Sequence, residues 1–323
     1  MLFTALALSL AVTALIVLLT IAFWLRLIPR GRLDPKHKAV LITGCDTGFG
    51  FALAQHLDSL GCYVYAGCLD AHGEGAWKLT KGASDRLMVL QMDVTKDEEV
   101  SAALETVQKN LRYPEKGLWG VVNNAGLSNY GLIEWCSMED YKNVTEVNLF
   151  GGIRVIKTFL PLIRKAEGRI VNTTSILGRK ATVGRSCYVA SKHAMEGFTQ
   201  CLRLEMKQWN VHVSTIEPGN FVSATGIFTE EKVHNLASKM WDNMPESTQQ
   251  DYGRQRFDDY VRKMENFVTG GCKEMTPVIN CIEKALFDKK PRIRYCPKTF
   301  DEHVMSFVMT HFPHELSDFI YNL

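Results

Sequence analysis

Three side chains between positions 175 and 192 could together hold a substrate oxygen and move its proton. Tyr188 and Lys192 are four residues apart, so on a helix they lie on one face, one turn from each other. A fixed ammonium beside a phenol favours the phenolate, which makes Tyr188 a candidate proton-transfer group near neutral pH. Ser175 follows the apolar run 169–174, and its hydroxyl could bind the same oxygen. Taken alone, such a Tyr–Lys pair more often marks a solvated helix face.

A glycine-rich turn lies between the first predicted strand and the first predicted helix. The apolar run 38–43 is followed at once by Gly44, Gly48 and Gly50, and the segment after them has helical spacing. Glycines in this place let the backbone approach a pyrophosphate at the amino terminus of the helix. The spacing Gly-x-x-x-Gly-x-Gly therefore indicates a nucleotide-binding turn.

The end of the second predicted strand bears on which nucleotide is bound. The strand 62–68 leads to Asp70, and the glycine-rich turn contributes Asp46 and Thr47. An adenosine 2′-phosphate needs a cation at one of these points, and neither offers Lys or Arg. NAD is therefore favoured over NADP. Asp70 could reach the adenosine ribose, or it could be a solvated loop acid.

Strands and helices alternate along the rest of the chain, which predicts a parallel sheet covered by helices on both faces. We expect one α/β domain over residues 38–300, with a helical substrate lid at about 222–259 that closes over the substrate and excludes water. The remaining predicted strands are 87–94, 120–126, 169–174 and 211–217, and helices are predicted at 98–111, at 138–163 and around Tyr188.

The amino terminus predicts a membrane anchor. Residues 2–25 carry no charged side chain, and about 20 apolar residues suffice to cross a bilayer. A cleaved signal peptide is the alternative, but it would begin with basic residues. We expect a transmembrane helix over 1–25 and a basic juxtamembrane linker over 26–37. The cations of the linker favour the cytosolic or equivalent side of the membrane for the rest of the chain. The segment 301–323 could be a second membrane contact or a helix of the core.

The composition excludes other classes of function. A net charge of +2 and the lack of a basic block argue against nucleic-acid binding. The nine cysteines are scattered without a Cys-x-x-Cys pair, which predicts neither a disulfide framework nor a metal site. We expect a small-molecule substrate, contact with membrane lipid and a homo-oligomer.

Six sequence elements together resemble the classical short-chain dehydrogenases/reductases over roughly residues 38–295. This resemblance implies a single Rossmann-type doubly wound sheet, NAD as cofactor and the oxidation of a secondary alcohol. A catalytically idle, nucleotide-binding membrane scaffold is the alternative from another class, and it would be expected to lack Tyr188, Lys192 or Ser175. The matching elements are Thr43 with the glycines, Asn123-Asn-Ala-Gly126, Asn148, Ser175, Tyr188-x-x-x-Lys192 and Pro218-Gly219.

The resemblance also implies a role for each matched residue. Tyr188 is the general acid/base, and Lys192 lowers its pKa and holds the nicotinamide ribose. Ser175 positions the reacting oxygen, and Asn148 supports a water-mediated proton path. The remaining matches imply cofactor contacts: Gly44, Gly48, Phe49 and Gly50 at the pyrophosphate, Asp93 at the adenine, Asn123 at the ribose, and Pro218 and Gly219 at the nicotinamide.

Within the family, the glycine-rich turn and the segment 117–126 are similar to a branch with three kinds of enzyme. These are membrane-associated retinol dehydrogenases, the type 2 17β-hydroxysteroid dehydrogenase and the mitochondrial D-β-hydroxybutyrate dehydrogenase. Several stretches between 239 and 321 look most like the hydroxybutyrate enzyme, which implies (R)-3-hydroxybutyrate and acetoacetate as substrates and a mitochondrial membrane. The apolar amino terminus instead resembles the microsomal enzymes, which implies the endoplasmic reticulum and a retinoid or hydroxysteroid.

Cations between Ser175 and Tyr188 favour an acidic substrate. Arg179, Lys180 and Arg185 lie in this stretch, and a guanidinium can bind a carboxylate with two hydrogen bonds. A retinoid or steroid would gain nothing from such a cation and prefers apolar walls. Arg185, three residues before Tyr188, is the predicted carboxylate anchor, although each of the three could equally be an ordinary surface cation.

Overall fold

The computed structural model describes residues 12–18, 20–21, 31–313 and 315. Seven parallel strands form one sheet in the order β3-β2-β1-β4-β5-β6-β7. The strands are β1 (Ala39–Thr43), β2 (Tyr63–Cys68), β3 (Leu87–Gln91), β4 (Gly120–Asn123), β5 (Arg169–Thr173), β6 (His212–Ile216) and β7 (Arg294–Tyr295). The chain order reverses between β1 and β4, and ligands bind at such switch points, outside the carboxyl ends of the strands.

Helices cover both faces of the sheet, as the alternating sequence pattern predicts. In the amino-terminal half they are α1 (Gly48–Ser59), α2 (Glu74–Thr80), α3 (Asp97–Asn110), α4 (Met138–Thr145) and α5 (Gly152–Lys165). In the carboxyl-terminal half they are α6 (Ser186–Met206), α7 (Val222–Thr225), α8 (Glu230–Asn243), α9 (Glu246–Tyr252), α10 (Arg254–Val268), α11 (Thr276–Phe287) and α12 (Phe300–His311).

The residues of β1 show why the sheet needs two helical layers. Val40 and Ile42 belong to a buried cluster with α1 and α11. Ala39 and Leu41, between and beside them, belong to a second buried cluster with α3 and α5. Successive strand residues point to opposite faces, so the apolar run of β1 is buried on both sides of the sheet. This packing holds the carboxyl ends of β1, β4 and β5 in fixed positions.

The structure departs from the predicted elements in several places, and the helices α2 and α11 have no predicted counterpart. The helix predicted over 138–163 is broken by a π-helical turn at Glu146–Gly151, which separates α4 from α5. The two-residue strand β7 has no counterpart among the predicted strands, and it adds to the sheet beside β6.

The predicted membrane anchor falls mostly outside the described residues. Residues 12–18 and 20–21 are helical and exposed, whereas 1–11, 19 and 22–25 are not described. In the described part of the chain, no helix has both the length and the apolarity to span a membrane. At the other end, α12 is described but most of residues 314–323 are not. Its side chains Phe300, Val304 and Phe307 are exposed.

Candidate active site

Ser175, Tyr188 and Lys192 meet at the carboxyl end of β5. Ser175 follows β5 and its hydroxyl accepts a hydrogen bond from the backbone N–H of Leu177, at 3.1 Å. Tyr188 and Lys192 lie in the first two turns of α6, and the Lys192 Nζ is 5.6 Å from the centre of the Tyr188 ring. All three are buried. The structure therefore brings together the three residues predicted to do the chemistry.

The Lys192 ammonium is fixed by the backbone of β5. Its Nζ donates a hydrogen bond to the carbonyl oxygen of Thr173 at 3.0 Å. Burial lowers the pKa of Lys192 to about 8, and the carboxylate of Glu196 opposes this shift. Lys192 therefore changes charge close to neutral pH.

Burial and a neighbouring cation act on the pKa of Tyr188 in opposite directions. Burial is the largest effect and raises the pKa of Tyr188, while a hydrogen bond with Ser175 and the charge of Arg185 lower it. The guanidinium carbon of Arg185 lies 5.6 Å from the Tyr188 ring centre. Lys192 Nζ lies at the same distance from this ring centre, 5.6 Å, so two cations flank Tyr188, and the effect of Lys192 on the pKa of Tyr188 stays a prediction.

Asn148 lies in the π-helical turn and fixes the loop after β4. Its Oδ1 accepts a hydrogen bond from the N–H of Leu127 at 2.7 Å, and its Nδ2 donates to the Leu127 carbonyl at 2.9 Å. The same Nδ2 donates to the Ser191 hydroxyl at 3.0 Å. A π-helical turn within a helix is common at functional sites. The side chain of Asn148 therefore stabilises the loop after β4, and its part in a proton path remains a prediction.

The glycine-rich turn packs so closely against neighbouring backbone that side chains would clash there. A Cβ on Gly44 would lie 2.8 Å from the Ala125 Cα, and one on Gly50 would lie 2.1 Å from the Gly44 carbonyl oxygen. Gly44 and Gly48 also have φ angles of +69° and +59°, which favour glycine. Gly48 begins α1, so the turn leads directly into a helix amino terminus, as an anion-binding turn requires.

Asn123, the last residue of β4, and Asn124, directly after it, make different contacts. Asn123, predicted at the ribose, is buried, and its Nδ2 donates to Asn172 Oδ1 at 2.9 Å. Asn124 instead faces the glycine-rich turn, where its Nδ2 donates to the carbonyls of Thr43 and Gly44 at 3.0 and 3.1 Å. The ribose contact of Asn123 is therefore not supported, because its side chain belongs to the interior. The position of Asn124 could not be read from two adjacent identical residues.

Two acidic side chains near the carboxyl end of β2 make different contacts. Asp46 bridges the glycine-rich turn to the end of β2, since its carboxylate accepts hydrogen bonds from the N–H groups of Leu69 and Asp70 at 2.9 and 3.1 Å. The Asp70 carboxylate accepts from the N–H of His72 at 3.0 Å and belongs to its own turn. Asp46 is therefore the better placed of the two to face an adenosine ribose.

Asp93, predicted at the adenine, is held by its own turn after β3. Its Oδ1 accepts hydrogen bonds from the N–H and the hydroxyl of Thr95, at 3.0 and 2.7 Å. The N–H of Asp93 donates to Glu99 at 2.7 Å. An adenine contact stays a prediction.

Pro218 and Gly219 lie beside the Ser175 turn and under the start of α12. The Pro218 carbonyl accepts from the N–H of Ile176 at 3.0 Å. A Cβ on Gly219 would lie 2.0 Å from a carboxylate oxygen of Glu302. Glu302 also accepts from the N–H of Asn220 at 2.7 Å. The carboxyl-terminal helix thus closes the site from one side at its first turn.

Arg185 differs from the other two cations between Ser175 and Tyr188. Its Nη2 donates to the Ser128 hydroxyl at 2.8 Å, and its Nε is shielded from solvent and has no hydrogen-bond partner among the described residues. Arg179, in contrast, approaches the Glu217 carboxylate at 3.8 Å. The pKa of Lys180 is lowered by burial and raised in part by Glu302. Of the three, Arg185 alone is described in contact with the Tyr188 ring.

An aromatic and apolar cluster surrounds Arg185. The guanidinium carbon lies 4.9 Å from the Phe228 ring centre and 5.6 Å from that of Phe267. The helices α7 to α10 pack with the loop after β4 in a buried cluster. Its largest members are Tyr130, Trp135, Phe228 and Phe257. This helical segment runs from 222 to 268, nine residues beyond the predicted end of the lid.

The family model for the short chain dehydrogenases matches residues 38–234. The chain belongs to the short chain dehydrogenase family. It is 50% identical over 287 residues to the bovine (Bos taurus) protein named D-beta-hydroxybutyrate dehydrogenase, mitochondrial, a match that covers 88% of this chain and 83% of that one. It is 40% identical to the bovine 17-beta-hydroxysteroid dehydrogenase type 6 over 286 residues, 88% of each chain.

A rat (Rattus norvegicus) retinol dehydrogenase 7 is also 40% identical to this dehydrogenase over 284 residues, covering 88% of this chain and 87% of that one. Among solved structures, a short chain dehydrogenase/reductase from Burkholderia phymatum in complex with NAD superposes with a TM-score of 0.69 at 22% identity. It covers 89% of this chain and 96% of that chain. The resemblance read from the motifs is therefore confirmed, as is the parallel doubly wound fold.

Proposed function

We propose that this dehydrogenase interconverts (R)-3-hydroxybutyrate and acetoacetate with NAD. The observation that carries the proposal is the environment of Arg185. Its guanidinium lies beside the rings of Tyr188, Phe228 and Phe267 and donates a hydrogen bond to the Ser128 hydroxyl. It forms no ion pair with a carboxylate in the described part of the chain. A partly buried charge without a partner is costly, and a substrate carboxylate would supply the missing charge.

A short substrate requires that the groups binding its two ends be neighbours. A 3-hydroxy acid carries its hydroxyl two carbons from its carboxyl carbon, so both ends must be bound within a few ångströms. Arg185 lies three residues before Tyr188, in contact with the Tyr188 ring. We infer that Arg185 binds the carboxylate while Ser175 and Tyr188 bind the hydroxyl. The 50% identity to a D-beta-hydroxybutyrate dehydrogenase supports this assignment.

The residues of the glycine-rich turn fit a dinucleotide. A Cβ at Gly44 or Gly50 would collide with backbone atoms, so the turn keeps this shape only with glycine. Gly48 begins α1, whose first N–H groups would receive the pyrophosphate. Lys192 would hold the nicotinamide ribose, and Pro218 and Gly219 would border the nicotinamide.

We infer that Asp46 makes the site selective for NAD over NADP. Its carboxylate is fixed at the carboxyl end of β2 by two backbone hydrogen bonds, where the adenosine ribose lies in dinucleotide-binding folds. A carboxylate can accept hydrogen bonds from the ribose hydroxyls, whereas it would repel a 2′-phosphate. Lys96, the cation after β3, is paired with Asp93 and Glu99 and is therefore not free to offset this repulsion.

The chemistry follows from these positions. Tyr188, as the phenolate, takes the proton of the substrate hydroxyl at its Oη, while Ser175 donates a hydrogen bond that holds the same oxygen. NAD supplies the acceptor for the hydride from the carbinol carbon. The charges of Arg185 and Lys192 stabilise the phenolate before proton transfer, and Arg185 keeps the hydroxyl over Tyr188 through the carboxylate. In the reverse direction Tyr188 returns the proton to the ketone oxygen.

We also propose that the chain is attached to a membrane through residues 1–25, with 26–37 as a basic linker, 38–300 as the dehydrogenase domain and 222–259 as its lid. The exposed apolar side chains of α12, such as Phe300 and Phe307, suit a second contact with lipid. The relative named mitochondrial favours that membrane, and the apolar amino terminus suits the endoplasmic reticulum. A homo-oligomer remains part of the proposal.

The second candidate substrate is a retinoid or hydroxysteroid. The apolar cluster of α7 to α10 offers the walls that such a molecule needs, and two relatives at 40% identity carry these names. The test is NADH formation by the membrane-bound protein, offered NAD with (R)-3-hydroxybutyrate, all-trans-retinol and estradiol in parallel. We expect turnover of the hydroxy acid. Turnover of retinol or estradiol alone would contradict the proposal.

A further inference from the structure

A buried network of charged side chains lies directly behind Ser175 and Lys192. Glu196 and Glu217 are 4% and 0% exposed. Arg294 donates to both oxygens of Glu196, from Nη1 at 2.9 Å and from Nη2 at 2.6 Å, and also from Nη1 to Glu217 at 2.7 Å. Lys298 donates to the other oxygen of Glu217 at 3.2 Å. Two-point pairing of this kind fixes the orientation of a carboxylate.

Glu196 is joined to the strand end that carries Ser175. The Thr174 hydroxyl lies 2.7 Å from Glu196 Oε1, to which it can donate a hydrogen bond. One helical turn earlier, Lys192 donates to the carbonyl of Thr173 at 3.0 Å. Residues four apart on a helix lie on one face. One face of α6 therefore binds both Thr173 and Thr174, the two residues that precede Ser175.

The turn after Ser175 rests on the same helix face. A Cβ on Gly178 would lie 3.1 Å from the Glu196 Cγ and 3.2 Å from the Lys192 carbonyl oxygen. The turn therefore packs on α6 between Lys192 and Glu196. A change at Glu196 would alter the position of the Ser175 hydroxyl relative to the Tyr188 ring, which α6 also carries.

Glu196 also sets the charge environment of Lys192. Burial lowers the pKa of Lys192, and Glu196 is the group that opposes it. Around Lys192, α6 contributes Tyr188, and the loop after β4 and the π-helical turn contribute the uncharged Gly126 and Asn148. Behind Glu196 lie the remaining charged groups of the network, which are Arg179, Glu217, Arg294 and Lys298.

We propose that Glu196 is a positioning residue, which holds the Thr174–Ser175 segment against α6 and keeps a negative charge one helical turn from the Lys192 ammonium. Arg294 fixes the orientation of the Glu196 carboxylate, both toward Thr174 and relative to Lys192. The inference rests on the roles proposed for Ser175, Tyr188 and Lys192, but it does not depend on which alcohol is the substrate.

The first test is the pH dependence of NADH binding in Glu196→Gln. If Lys192 must be protonated to hold the nicotinamide ribose, NADH affinity falls as the pH rises through the pKa of Lys192. Removing the Glu196 charge lowers that pKa, so the fall should begin at a lower pH, by about one unit. Tryptophan quenching by NADH from pH 6.5 to 10 measures this, and Glu196→Asp should restore most of the parent profile.

Glu217→Gln is the matched control, because it removes one charge from the same network without touching Thr174 or facing Lys192. We expect it to lower the Tm and to leave the NADH-binding profile in place. An equal shift in Glu196→Gln and Glu217→Gln, or no shift in Glu196→Gln, would overturn the proposed effect on Lys192.

Thr174→Val tests the link through the hydroxyl without changing any charge, since it keeps the shape and removes the contact with Glu196 together with that to the Ile216 carbonyl at 3.1 Å. We expect kcat to fall about tenfold with the NADH-binding profile unchanged, because the hydrogen bonding of this hydroxyl is lost. An unchanged kcat would overturn the link to Ser175, and this variant remains informative if Glu196→Gln does not fold. Absence of 3-hydroxybutyrate turnover in the parent would contradict the proposed function, whereas the NADH-binding profiles would still decide the role of Glu196.

Discussion

The two sides of the candidate site hold their functional groups by different means. On the nucleotide side, close packing of the backbone fixes the turn, because Gly44 and Gly50 pass close to other backbone atoms; one side chain, Asn124, adds hydrogen bonds to the carbonyls of the turn. On the substrate side, side chains do it, because Arg185 is held by the Ser128 hydroxyl and by aromatic rings from the helices.

This difference explains why family members can share a cofactor site and diverge in substrate. A backbone cradle tolerates almost no side chain, so its sequence is narrowly constrained. An aromatic pocket can be rebuilt around a carboxylate or around a retinoid by exchanging side chains that keep the helices packed. A single cation such as Arg185 then decides which kind of molecule gains binding energy in the pocket.

Removing the proton-transfer group should produce the largest effect. Tyr188→Phe deletes the phenol oxygen and preserves the buried ring, so we expect turnover to fall by about 1000-fold or more while NADH affinity stays within about twofold of the parent. Initial rates and tryptophan quenching by NADH measure the two quantities. Turnover within about tenfold of the parent would remove Tyr188 from its proposed role.

The next largest effect should come from closing the nucleotide cradle. Gly50→Ala places a methyl group 2.1 Å from the Gly44 carbonyl oxygen, so the turn must open, and NADH affinity should fall by about 10- to 100-fold. Gly197→Ala is the matched control, because nothing lies within 4 Å of its Cβ. It should leave NADH affinity unchanged and stabilise α6 by up to about 1 kcal/mol. Equal NADH affinities in the two variants would argue against the cradle.

A smaller effect is expected at the ribose end of the same cradle. Asp46→Asn removes the charge and keeps an oxygen that can accept from Leu69 or Asp70. The ratio of kcat/KM for NADP to that for NAD should rise about tenfold, a moderate change because water screens this partly exposed position. Asp70→Asn removes the same charge from a separate turn and should change the ratio by less than about twofold. A larger change in Asp70→Asn would assign the selectivity to Asp70.

The sequence predicted the candidate catalytic residues but not the contacts that surround them. Strand–helix alternation predicted the sheet, because local pattern determines it. The meeting of Ser175 with Tyr188 and Lys192 was expected from the family resemblance, because the Tyr–Lys spacing alone is common on solvated helix faces. The interior position of Asn123 could not be predicted in this way. It depends on which of two adjacent asparagines is the last residue of β4, and a shift of one residue exchanges the two faces of a strand.

Long-range contacts account for the other departures. The hydrogen bonds from Leu69 and Asp70 to Asp46 join residues 23 and 24 positions apart, and Arg294 reaches Glu196 across 98 positions. No local pattern marks either pair. The break at Glu146–Gly151 likewise arises where Asn148 must bond to the loop after β4, which overrides a sequence that favours one continuous helix.

The most direct test of the account compares Arg185→Leu with the parent on two substrates. We predict that kcat/KM for (R)-3-hydroxybutyrate falls about 100-fold, because a charge-assisted pair with the carboxylate is lost, whereas any rate with all-trans-retinol is maintained or rises. Arg179→Leu, whose cation faces Glu217, should change neither rate by more than about twofold. An Arg185→Leu protein that oxidises the hydroxy acid as well as the parent does would contradict the central claim that this cation recognises the substrate.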